Sequence, residues 1–403
     1  MLEKKRSLLL FYAIAALQGM VFYASIATLY RQAVGVTLLQ ITMIESVSLV
    51  LSVALEVPWG AAADRLGYRK TLMVCAFLFF ASKVVFWQAE GVGGFLLERI
   101  LLAVTLSGLS GCDSAYLYLC AGEQDSHKAY SRWELASAAG MLVASGVFTL
   151  FLGTRYRLAA LLTVLTYGAA AVLSLGLGEV PSPPKMTARA HLADIRSALA
   201  RSLPLLPVLL AATFLRETGQ IVTVFFSPLL YLRGGIPIPL FGLLHGGVTL
   251  CGMAGAALSY RYVKRVGLRP GGGILLLGGG VICVLLAVTR GPISAVLGML
   301  LLRFCASAFA PLSLLVQNRA VISANRATVL SLYAVVMDLT SAAMSPVLGA
   351  LADLDVSYAL LLCALLCFAG GIAFLLSKAQ PIGAQRPQPE TYKKNPADDC
   401  QNW

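Results

Sequence analysis

The chain has 403 residues, of which 58% are hydrophobic and only 12% charged, with a formal net charge of +12 at pH 7. An ordinary soluble domain carries about 25% charged residues, so this composition excludes a wettable globular surface and points to a protein that crosses a bilayer many times. The basic excess falls on alternate loops and the chain ends, which marks membrane topology and removes the need for nucleic acid as a partner.

The basic N-terminus, Met1 to Ser7, runs into an apolar segment from about Leu8 to Tyr30. That segment is longer than the core of a secretory leader and no small-residue cleavage pattern closes it, so a permanent first helix starting in the cytoplasm is expected. Eleven more apolar runs follow, near residues 37–62, 70–90, 94–119, 131–153, 157–178, 206–232, 238–260, 271–290, 292–318, 327–351 and 356–378. Each has about the twenty residues needed to cross a hydrocarbon layer of about 30 Å. Of the 31 lysines and arginines, 22 lie on one alternate set of loops and the termini, whereas the opposite loops hold Arg31, Arg155, Arg157, Arg233 and Arg290. The even number of spans and this bias place both termini in the cytoplasm and the chain in a cell (plasma or inner) membrane.

The longest internal polar interval, Glu179 to Leu203, contains Pro181, Pro183 and Pro184 and then Leu192, Ile195 and Leu199 at helical spacing. Such a pattern is expected to form an amphipathic helix on the membrane surface. It divides the chain into a first bundle over 1–178, a linker over 179–204, a second bundle over 205–378 and a polar, proline-rich tail over 379–403, expected to be disordered. The halves share short patterns: Gly60-Ala-Ala-Ala-Asp64 with Gly255-Ala-Ala-Leu-Ser259, and Leu96-Leu-Glu-Arg99 with Leu300-Leu-Leu-Arg303, at offsets of 195 and 204 residues. A parallel duplication of six helices is a transporter architecture with its substrate site between the halves. The expected fold class is therefore an all-α membrane protein, twelve transmembrane helices in two pseudo-symmetric six-helix bundles.

The run Gly60-Ala-Ala-Ala-Asp64-Arg65-Leu-Gly67-Tyr-Arg69-Lys70, between the second and third spans, resembles the cytoplasmic loop signature of the major facilitator superfamily. Arg99 in the fourth span resembles that family's second motif, and Arg326-Ala-Thr-Val-Leu-Ser-Leu332 resembles another of its elements; the likeness covers residues 8–378. It implies a secondary transporter working by alternating access, in which Gly60, Asp64, Arg65, Gly67, Arg69 and Lys70 form a gate. Gly60 allows close approach of the second and eleventh helices. Asp64 can cap the eleventh helix near Ala327, where the helix dipole favours negative charge. Arg65, Arg69 and Lys70 can pair with an acid on the fourth helix such as Asp113. Tyr68 stands where the family usually has a basic residue, and a weaker latch is expected.

Ionisable side chains at membrane depth are costly and therefore candidates for function. The acids are Glu45, Glu56, Asp113, Glu134, Glu217 and Asp338, and the bases Lys83, Arg99, Arg216 and Arg303. In the family's arrangement the first, fourth, seventh and tenth helices line the cavity, which implies Tyr12, Gln18, Tyr23, Arg99, Arg216, Glu217 and Arg303 as its lining. Arg303 is expected to attract an anionic group of a substrate or to pair with an acid; satisfaction of Arg216 and Arg303 by Glu217, Asp338 or backbone carbonyls is the alternative. Glu45 and Asp338 are the proton-coupling candidates, because burial favours a protonated carboxyl; pairing of Glu45 with Lys83 or Arg31 is the alternative. His245 reads as a packed, hydrogen-bonded residue.

Nine cysteines are scattered and three histidines show no metal-ligand spacing, so neither a metal nor another cofactor is expected. No nucleotide loop or activated nucleophile appears, which argues against an enzyme. The fifth span, with Ala136 to Gly146, lacks the glycine-proline pair of the family's exporters, while Asp113-Ser-Ala-Tyr116-Leu-Tyr118 resembles drug-efflux-like bacterial members. The expectation is a monomeric, proton-coupled exporter of amphipathic drug-like compounds. A proton- or sodium-coupled importer and a lipid flippase are the alternatives.

Overall fold

The structure is a computed structural model and describes residues 2–180, 205–320 and 326–377. The amphipathic linker helix and the tail anticipated from the sequence lie outside the described residues, as do the side chains of Gly60, Asp64 and Arg326 to Thr328.

Among the described residues twelve helices are long and apolar enough to span a membrane. They are α1 (Lys4–Ala33), α2 (Leu38–Leu66), α3 (Tyr68–Gln88), α4 (Val92–Ala121), α5 (Ser126–Leu152) and α6 (Tyr156–Ser174). The second half repeats them as α7 (Leu206–Arg233), α8 (Ile238–Val266), α9 (Leu268–Val288), α10 (Pro292–Ala320), α11 (Arg326–Leu354) and α12 (Val356–Leu376). Local chemistry sets the ends. Thr37 caps α2 in a reciprocal box with Gln40. The Asp355 carboxylate caps α12 by accepting from the Ser357 N–H at 2.7 Å, a contact that also holds its carboxyl below the usual carboxylate range. Gly67, the sole residue between α2 and α3, has φ 83° and ψ 155°, a backbone region open essentially to glycine alone.

The sequence places Gly60 to Lys70 in a loop. Instead α2 runs on through Ala61 to Ala63 as far as Leu66, because three alanines are strong helix formers and only Gly67 stops them.

Element starts recur at a constant register: residues 38 and 238, 68 and 268, 92 and 292, 126 and 326, and 156 and 356 differ by 200 in every case. The turn glycines Gly35 and Gly235 and the hinge glycines Gly67 and Gly267 obey the same shift, all with positive φ. This register supersedes the offsets of 195 and 204 read from short patterns, so Arg303 sits about one helical turn beyond the positional counterpart of Arg99.

Within the first half α1 packs on α5 and α6, α2 on α4, and α3 on α4 and α6; within the second, α7 packs on α10, α11 and α12, α8 on α10, and α9 on α10 and α12. The halves meet where α2 packs on α11 and α5 on α8. Close crossings use small residues, as membrane helices do: a Cβ on Gly255 would stand 2.6 Å from the Phe304 carbonyl, and one on Gly140 would strike the Ala16 carbonyl. Several spans are interrupted. α1 breaks after Gly19 into a short turn and a second segment from Ala27, α4 breaks at Gly111 with φ 79°, and α7 passes through a π-helical stretch, Ile221–Phe226. Broken helices within a bundle are tolerated where they line a protein interior or a cavity.

Candidate functional site

In the first half, five charged side chains from four helices converge. Glu98 of α4 is surrounded by Arg31 of α1 at 3.7 Å, Lys83 of α3 at 3.8 Å and its neighbour Arg99 at 3.7 Å, and Arg99 in turn reaches Glu45 of α2 at 3.1 Å. Glu98, Arg31 and Lys83 are almost fully buried, with side-chain exposures of 2%, 4% and 6%. Distances near 3.7 Å are too long for hydrogen bonds, so the attraction is coulombic, in a medium where such attraction is strong and desolvation expensive. Aromatic faces carry part of the load: Arg31 lies over Phe86 and Phe95, and Lys83 is 5.2 Å from the Tyr167 ring centroid and 5.8 Å from that of Tyr23. Tyr23, expected as a cavity polar group, is buried and stacked on Phe86 at 4.0 Å.

The second half pairs its charges differently. Arg216 of α7 donates to Asp338 of α11 at 2.6 Å and to Ser341 at 3.2 Å, while Ser345 donates to the buried Glu217 at 2.7 Å. Asp338, Ser341 and Ser345 are spaced three and four apart, so they form one stripe along α11 facing α7. Arg216 and Asp338 are 46% and 29% exposed despite their central position in the spans.

At the end of the bundle opposite the termini the halves are joined. Asp353, in the last turn of α11, accepts from the Leu38 and Leu39 N–H groups at 2.8 and 2.9 Å, satisfying two orphan donors at the start of α2 with a charge of favourable sign. Gly349 meets Thr42 and the Leu38 carbonyl at the same crossing, and Gly242 of α8 meets the Ser145 carbonyl of α5.

Of the gate residues anticipated from the sequence, Arg69 reaches Glu179 at 3.4 Å and the Leu175 carbonyl at 3.3 Å rather than Asp113. Asp113 instead follows the break in α4 and accepts from the Ser114 N–H at 2.6 Å; it shares a small cavity with Gln18 inside the first bundle. Arg65 and Lys70 are exposed at the termini end. The sequence reading treats Arg31 as a loop residue and passes over Glu98. Arg31 follows Tyr30 at the end of an apolar run, and Glu98 follows a glycine pair, so both carry the local marks of a boundary. A charge count per helix end, with no opposing acid left over for Lys83, is the signal that would have found Glu98. Among the described residues no group of His, Cys, Asp and Glu is placed to hold a metal ion.

A duplicated twelve-helix bundle with charge pairs inside each half is the architecture of a membrane transporter. Residues 8–320 match the Major Facilitator Superfamily, and the chain belongs to that family. It is therefore a secondary transporter and not an enzyme. No curated protein matches the sequence. Among solved structures it is similar to the nucleoside transporter NupG, with a TM-score of 0.76, 15% identity and coverage of 93% of this chain and 98% of that one. It is also similar to the D-xylose-proton symporter, with a TM-score of 0.72, 17% identity and coverage of 94% and 99%. An inward-facing, occupied bacterial homolog of the human lysosomal transporter Spinster gives a TM-score of 0.73 at 14% identity, covering 94% and 97%. At these identities the likeness is one of fold.

Proposed function

We propose that this transporter exports amphipathic small organic molecules from the cytoplasm in exchange for protons, with both termini cytoplasmic and the described conformer closed on the outer side. The observation that carries the coupling is the buried Glu217, whose carboxylate accepts from the Ser345 hydroxyl at 2.7 Å. A carboxylate buried with only a neutral hydroxyl donor beside it is favoured in its protonated form. Asp338 has its charge matched by Arg216 at 2.6 Å, and Glu45 by Arg99 at 3.1 Å, whereas Glu217 is met by a hydroxyl donor. Glu217 is accordingly the carboxylate whose proton is set by the transport cycle, and Asp338 the group that is freed when a solute engages Arg216.

The direction rests on the likeness of Asp113 to Tyr118 to efflux-like members. Symport is the second reading, favoured by the fold shared with a nucleoside transporter and a D-xylose-proton symporter. One assay separates them. In inverted vesicles holding a pH gradient, a panel of cationic dyes, antibiotics, sugars and organic acids is added to wild type and to Glu217→Gln. Discharge of the gradient by a solute with wild type and not with the variant is expected. Proton movement of the opposite sign selects symport, and discharge that persists in Glu217→Gln removes this residue from the coupling.

A further inference from the structure

Most cations at membrane depth have a carboxylate beside them: Arg31 and Lys83 share Glu98, Arg99 has Glu45, and Arg216 has Asp338. Arg303 of α10 does not. Among the described residues no hydrogen bond or ion pair holds its guanidinium. Its depth makes this costly. It lies eleven residues into α10, and at a rise of about 1.5 Å per residue that is about 16 Å from the helix start, halfway through the hydrocarbon layer. A guanidinium has five N–H donors in a rigid fork and cannot shed its charge, so an unligated one at this depth calls for an acceptor that the chain itself does not supply.

The surroundings are shaped to receive one. The Arg303 side chain lies over Gly252 of α8, where a Cβ would come within 3.1 Å of Nε and 3.2 Å of Cγ, and Ser307 Oγ stands 3.1 Å from the same point. One face of α8 carries Gly252 and, two turns earlier, His245. The His245 Nε2 on that face is buried without a hydrogen-bond partner. A Cβ on Gly246, next to His245, would lie 3.5 Å from Leu142 and Ser145 of the first half, so this stretch of α8 runs beside the seam between the halves, where the substrate site of this architecture lies.

We propose that Arg303, with His245 and Ser307, binds an oxyanion headgroup of the cargo, so that the transported solute is an amphipathic organic anion. The assignment rests on the transport reading above and narrows it to acids. A carboxylate offers the fork two acceptor oxygens in matching geometry, and a charge-assisted bidentate pair is among the strongest contacts available to a small solute.

The test uses the full chain in lipid nanodiscs and three matched aromatic probes: naphthalene-2-carboxylate, its primary amide and the corresponding methylammonium. Binding is read from ligand-induced thermal shift and intrinsic tryptophan fluorescence. The carboxylate is expected to bind, with the amide and the ammonium weaker by about tenfold or more, the loss expected for one charge-assisted contact. Arg303→Gln should remove the preference for the acid and Arg303→Lys should keep part of it. Should Arg303→Gln fail to fold, Gly252→Ala displaces the guanidinium from its bed and is expected to weaken carboxylate binding selectively. Equal binding of all three probes, tighter binding of the ammonium, binding of none, or an unchanged preference in the variants overturns the proposal. Proton movement in vesicles keeps the two readings apart. Arg303-dependent binding of the acid without proton movement overturns the coupling and leaves this site, whereas proton movement driven by the ammonium alone does the reverse.

Discussion

Glu98 shows what a single residue holds in place. It is 1% exposed and stands against three cations, so its removal leaves Arg31, Lys83 and Arg99 with Glu45 as their only nearby acid. Breaking a buried charge set by deleting one member costs about 3–5 kcal/mol. Glu98→Gln is therefore expected to unfold at markedly lower denaturant concentration or temperature in detergent, and adding Lys83→Met should recover much of the loss. Wild-type stability in the single variant would show that the cluster is hydrated and not buried as described. At this scale the sequence was half legible. Charge inside an apolar run reveals Lys83, Arg99, Arg216 and Arg303, because the cost of burial is a property of the residue. Which acid answers which base is set by helix packing, and no spacing rule within one helix brings Arg31 to Glu98.

Among the elements, α2 and α11 carry the contact that joins the halves at the end opposite the termini. Gly349 lies where α11 crosses α2, and a methyl group there would meet the Thr42 hydroxyl, the Leu38 carbonyl at 2.8 Å and the Leu39 Cα at 3.0 Å. Because the obstacle is largely backbone, Gly349→Ala is expected to push the helices apart. Spin labels at Ala33 and Leu354 should then report a longer-distance population that the wild type lacks; Asp353→Asn, which weakens the cap on α2, should shift the same distribution by less. Distances unchanged in both variants would separate this crossing from gating. The hinge between α2 and α3 makes a different demand. Gly67→Ala forces a side chain into glycine-only backbone, at a cost of about 1–3 kcal/mol, and should lower thermal stability with no change in solute selectivity. Both glycines could be found in the sequence as glycines. The crossing at Gly349 could not, since it depends on a chain segment more than three hundred residues away.

For the molecule as a whole, the shared register of the two halves was legible only as scattered likenesses, because side chains have diverged while element lengths have not. Gly67 and Gly267 reveal it through backbone geometry, whereas Lys83 and Glu98 have Cys283 and Gly298 at the corresponding positions, so the halves share a scaffold without sharing charges. Alternating access makes a direct prediction at the seam. A Cβ on Gly246 of α8 would lie 3.5 Å from Ser145 Cβ of α5, within the separation a disulfide spans. The Ser145→Cys, Gly246→Cys pair should crosslink spontaneously, hold this crossing shut and stop transport until a reductant is added. Full transport by the oxidised double variant would mean that this contact persists through the cycle.

The charge set in the first half also has an electrical consequence. Three cations against two carboxylates leave one positive charge at depth, and a half that tilts carries that charge through part of the membrane field. One elementary charge crossing the whole field is worth about 2.3 kcal/mol per 100 mV. Even a modest fraction of that path makes the movement of the halves respond to voltage, so the same carrier runs at different speeds in energised and de-energised membranes although the solute gradient is identical.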